Sequence, residues 1–102
     1  MGVEYEAKPT APLAQTTIRA LFDALEADGR WQRIRRSDGE LALANAGETL
    51  NPKWPERLAI HANEAQIYVV FHASTKSESH DFLSAVSAIL QSLGVSSEFD
   101  QL

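Results

Sequence analysis

The stretch Arg57-Leu58-Ala59-Ile60-His61-Ala62-Asn63-Glu64-Ala65-Gln66-Ile67-Tyr68-Val69-Val70-Phe71-His72-Ala73 decides the fold. On both sides of Asn63-Glu64 its core-forming residues recur every second position, the period of a half-buried strand. A turn at Asn63-Glu64 pairs His61 with Gln66 and closes the stretch into an antiparallel hairpin. Leu58, Ile60, Ile67, Val69 and Phe71 then line one face, and Ala59, His61, Gln66, Tyr68, Val70 and His72 the other. The first face is too apolar to stay wet, so the remaining chain must supply a layer that covers it.

Two amphipathic helices meet that need. Residues 12–28 place Ala14, Ile18, Leu21, Phe22 and Leu25 three and four apart, with Pro12 in the first turn, Thr10 or Ala11 flanking the start and Gly29 as C-cap. Residues 79–93 do the same with Phe82, Val86, Ile89, Leu90 and Leu93, capped by Ser77 or Ser79 and ended by Gly94. Glu26 and Asp28 sit in the last turn of the first helix, where the dipole disfavours acids.

Residues 3–7 alternate as a strand, and residues 95–99 form a short last one. Residues 30–45 read as another hairpin with Asp38-Gly39 as a type I′ turn, pairing Ser37 with Glu40, Arg36 with Leu41, Ile34 with Leu43 and Arg33 with Ala44. The order is β-α-β-β-β-β-α-β. The predicted fold is α+β: a two-layer sandwich, one mostly antiparallel sheet with two helices on one face, as a single domain over residues 1–102.

Composition narrows the function classes. The chain has 102 residues, 44% hydrophobic and 23% charged, with net charge −5. Its longest strongly apolar run covers residues 67–71, against the roughly twenty that a membrane span needs. No cysteine occurs, which removes disulfides, thiolate nucleophiles and Cys-based metal sites and suits a reducing cytoplasm. The start shows neither a basic n-region nor an apolar h-region, so a cytoplasmic location is expected. The acidic balance argues against nucleic-acid binding.

Catalytic chemistry finds no foothold in the pattern. His61, His72 and His80 lack metal-ligand spacing, and the adjacent letters of Ser77-Glu78-Ser79-His80-Asp81 suit a helix start better than a triad. Glu4 and Glu6 share a strand face that is expected to be solvated. The five glycines are scattered singly, which leaves no phosphate-cradling loop. No catalytic residue, metal or cofactor is expected.

Charge distribution is more informative. Arg30-Trp31-Gln32-Arg33-Ile34-Arg35-Arg36 carries four of the nine basic residues, while the rest of the chain sums to −9. Strand alternation puts Trp31, Arg33 and Arg35 on one face, and with Arg36 they form a candidate patch for an acidic partner. The alternative is an exposed strand whose arginines stay solvated, neutralise neighbouring Glu side chains and protect the edge. A second feature is the stretch 82–97, sixteen residues without a charge. Ser84, Ser87 and Gln91 form the outer face of its helix, a candidate for partner contact or for self-association through helix 79–93. Trp54, bracketed by prolines in the loop 46–55, pins that loop or anchors a partner.

In size and acidity the chain is similar in general character to small immunity proteins and small acidic secretion chaperones of bacteria. The expected function is therefore non-enzymatic binding of a protein partner that it neutralises or chaperones. Two other readings stay open: a ligand-binding or enzymatic domain with a pocket between sheet and helices, lined by His61, Tyr68 and His72 if the two hairpin faces are inverted, and a homodimeric structural domain.

Overall fold

The computed structural model describes residues 2–50, 52, 53, 55–72 and 74–102. Six strands and two helices follow the expected order: β1 (Val3–Ala7), α1 (Gln15–Ala27), β2 (Trp31–Arg36), β3 (Glu40–Asn45), β4 (Leu58–Ala62), β5 (Ile67–Phe71), α2 (Lys76–Ser92) and β6 (Phe99–Gln101). All strands pair antiparallel in one sheet of order β2-β3-β4-β5-β1-β6. The fold is the predicted α+β sandwich. No helix among the described residues is long and apolar enough to cross a membrane.

The decisive hairpin buries the expected face. Leu58, Ile60, Ile67, Val69 and Phe71 join Leu41 and Leu43 of β3 beneath Ile18, Leu21, Phe22 and Leu25 of α1 and Phe82, Val86 and Leu90 of α2. Its turn sits one residue later than predicted, so His61 faces Tyr68 rather than Gln66. The Asn63 side chain causes the shift: Oδ1 accepts from the Ala65 and Gln66 amides and fixes Glu64-Ala65 as the tip. Both strands keep their faces, because moving the tip by one residue changes each pairing by two.

The helix starts differ from expectation for identifiable reasons. Leu13 donates its amide to the Glu64 carbonyl, which ties residue 13 to the β4–β5 turn, and α1 begins only after an extended Ala14. α2 begins at Lys76 because Thr75 is the N-cap of a capping box: its hydroxyl accepts from the Glu78 amide, and the Glu78 carboxylate accepts from the Thr75 amide. Ser79, expected as a cap, is instead buried. Residues 95–98 stay outside the sheet, and β6 pairs Phe99 with Ala7. The Asp38-Gly39 turn joins Ser37 to Glu40 without positive φ, so it is not type I′. Gly39 matters for proximity instead, since a Cβ there would meet the Ala62 carbonyl at 3.3 Å.

Candidate functional site

The arginine strand departs most from expectation. A bulge at Ile34 breaks the ladder, so that Arg33 faces Leu43 while Arg35 faces Ala42. Trp31, Arg33 and Arg36 therefore lie on the helix side of the sheet, and Arg35 alone of the four expected residues lies on the opposite side. The expected common face of Trp31, Arg33 and Arg35 does not exist. Trp31 is half-buried and packs edge-on against Phe82, with ring centroids 5.1 Å apart.

Every guanidinium of the cluster has a carboxylate partner. Arg30 grips Asp28 with Nε at 2.6 Å and Nη2 at 3.0 Å. Arg33 Nε lies 3.3 Å from Glu26, and Arg36 donates to both Glu26 and Asp23. Arg35 donates to Glu40 at 3.1 Å and to Glu56 at 2.6 Å. The acids at the end of α1 thus meet the arginines of β2, which explains their place against the dipole. Hydrogen bonds from Arg30 and Arg35 hold Asp28 and Glu40 below the usual carboxylate range. Each cation of the strand is thus paired within its own molecule, although Arg30, Arg33 and Arg35 stay about half exposed.

On the helix-free face, Ala42, Ala44 and Ala59 are at most 2% exposed although no helix covers them. Part of the connection between β3 and β4 lies on this face. Its end is fastened by the Arg57–Glu48 pair and by Glu56, which lies between Arg35 and His72 Nε2, the latter at 3.3 Å. Arg35, Lys53, Pro55, Glu56 and His72 line a small cavity of about 260 Å³ there. His61 and Tyr68 stand elsewhere on the same face. Their rings are 5.8 Å apart, His61 lies 3.4 Å from Glu40, and the Tyr68 hydroxyl donates to Glu4. The expected pocket of His61, Tyr68 and His72 between sheet and helices is therefore not formed: all three lie on the side away from the helices, and His72 borders the small cavity. Among the described residues no three His, Cys, Asp or Glu side chains are placed to hold a metal. Trp54 and its expected role lie outside the described residues.

Ser84, Ser87 and Gln91, by contrast, do come together. With Tyr5 of β1, Leu83 of α2 and Phe99 of β6 they line a groove of about 520 Å³ between α2 and the sheet edge. Layer geometry explains it. Six strands about 4.8 Å apart span roughly 29 Å, whereas two packed helices cover roughly 20 Å. α1 lies toward β2, as its ion pairs show, so the shortfall falls at the β1–β6 end. Tyr5 and Phe99 are the half-buried floor of that uncovered strip. Lys76 and His80 stand at the end of the groove nearest the start of α2.

Sequence reading missed Tyr5 and Phe99 as floor residues, since strand order across the sheet cannot be read from alternation. It also missed Glu56 as the partner of Arg35. The Arg35–Glu40 pair was within reach, because the two flank the turn diagonally. Comparison of the chain with protein-family models, curated proteins and solved structures gives no match.

Proposed function

We propose that this chain is a non-enzymatic protein-binding module, of the kind that neutralises or chaperones a partner, and that it binds through the α2–β6 groove. The observation that carries this reading is the groove of about 520 Å³ floored by Tyr5 and Phe99, flanked by a helix face free of charge over residues 82–92. Partly apolar floor, neutral wall and polar rim are the composition of a protein contact. The arginine strand is the weaker surface, because its cations already have partners.

The test compares capture of partners by the intact chain, by Ser87→Arg and by Arg33→Glu. Partners retained by the intact chain and by Arg33→Glu but lost with Ser87→Arg support the groove. Partners that survive Ser87→Arg and disappear with Arg33→Glu overturn it.

A further inference from the structure

Resting on the groove reading above, we infer that the partner enters as an extended segment of alternating basic and apolar residues, which adds a seventh strand to the sheet along β6. The open edge is the first observation. Leu102 donates its amide to the Glu4 carbonyl, so the directly bonded pairs of the β1–β6 ladder are Glu4–Leu102 and Glu6–Asp100. Phe99 and Gln101 alternate with them and turn their N–H and C=O groups away from β1, on a strand that ends the sheet. The opposite edge, β2, is blunted by a bulge and by Arg33 and Arg35. β6 keeps a regular register with β1 and carries no Lys, Arg or Pro.

The second observation is that the two sides of this edge differ in charge. On the helix-free side Glu6, Glu98 and Asp100 line a cavity of about 460 Å³, in which Lys8 is the one cation among the described residues. Glu6 and Asp100 stand directly opposite each other, which costs stability until a cation comes between them. Lys8 lies 3.9 Å from Glu6 and is largely exposed, and neither Glu98 nor Asp100 has an ion pair among the described residues. Ser97, whose Oγ is buried without a hydrogen-bond partner, lines the same cavity. On the helix side the groove presents Phe99, Leu83 and the neutral Ser84 and Ser87, with Lys76 and His80 to repel a cation. Side chains of an added strand alternate between these two sides. Those opposite Phe99 and Gln101 enter the groove and are apolar, while those opposite Glu98 and Asp100 meet carboxylates and are Lys or Arg. A second copy does not fit, because pairing β6 with itself about Asp100 sets the two Asp100 side chains face to face.

The probe is a synthetic peptide of about ten residues alternating Lys and Val, titrated into the full chain by calorimetry. A peptide of the same composition with its Lys and Val in two separate blocks is the control. The alternating peptide should bind and the block peptide should not. Glu98→Gln/Asp100→Asn should weaken binding by about 2- to 30-fold, the worth of two exposed ion pairs. Hydrogen exchange supplies the signature of an added strand: the Phe99 and Gln101 amides should slow by about tenfold or more on binding, while the inward Asp100 amide changes little. Equal binding of both peptides overturns the inference, as does binding that leaves the Phe99 and Gln101 amides unprotected. Failure of the alternating peptide to bind overturns it as well, and a captured partner that still needs Ser87 then leaves the groove reading standing.

Discussion

Replacing Glu56 by Gln removes the charge that Arg35 and His72 share while keeping the shape of the side chain. The Glu56 side chain is 14% exposed and receives Arg35 Nη1 at 2.6 Å, whereas Arg35 itself is 48% exposed and keeps Glu40. A shielded hydrogen bond to a charged group contributes about 1.5–3 kcal/mol and an exposed ion pair about 0–1 kcal/mol. Half-exposed Arg35 places this contact between the two, at about 1–1.5 kcal/mol. For a domain of this size that lowers Tm by roughly 5–10 °C. Urea unfolding of the single variants and of Arg35→Ala/Glu56→Gln should give a coupling of about 1 kcal/mol, with Glu6→Gln near zero because Lys8 lies 3.9 Å away and is largely exposed. Native-state hydrogen exchange should quicken at the Arg57 and His72 amides, which bond Leu43 and Arg57 beneath the fastening. A coupling below about 0.3 kcal/mol would show Arg35 to be effectively solvated and return the arginine strand to contention as a binding surface.

Thr75→Ala should cost about 1 kcal/mol by removing the capping box of α2, read from denaturant midpoints. Trp31→Ala should cost about 3 kcal/mol, since it strips the edge-on contact from Phe82 and opens the core at the β2 end. Ser97→Ala should be neutral or stabilising by up to about 1 kcal/mol, because the buried Ser97 Oγ has no hydrogen-bond partner. Acid should destabilise the protein. Arg35 lowers the Glu40 pKa, and the Thr75 backbone does the same for Glu78. Their stabilisation is full above the unfolded carboxylate value of about 4.3 and is lost as pH falls through the lower folded values. Urea titrations from neutral pH downward should show that decline, shallower in Glu40→Gln.

The hairpin of β4 and β5 was legible because strand alternation survives an error of one residue in the turn. The helices were legible because five apolar residues at helical spacing tolerate uncertain ends. Three misplaced features have physical causes that alternation does not encode. The bulge at Ile34 leaves no unusual residue behind, yet it turned Arg33 and Trp31 to the other side of the sheet. The cap at Thr75 depends on reciprocal bonds with Glu78, whereas the sequence reading placed the cap at Ser77 or Ser79. The pairing of all four clustered arginines depends on acids as distant in sequence as Glu56, brought close only by the fold. Ser84, Ser87 and Gln91 were found because missing charge on a helix face is visible without knowing what lies beside it.

Amide NMR of the labelled chain titrated with a captured partner offers the most direct test of where this protein makes contact. Ser84, Ser87, Gln91, Tyr5 and Phe99 should shift together as the partner is added, while Arg33 and Arg35 stay fixed. Shifts confined to β2, with the α2 and β6 signals unmoved, would contradict the assignment of contact to the open end of the sheet.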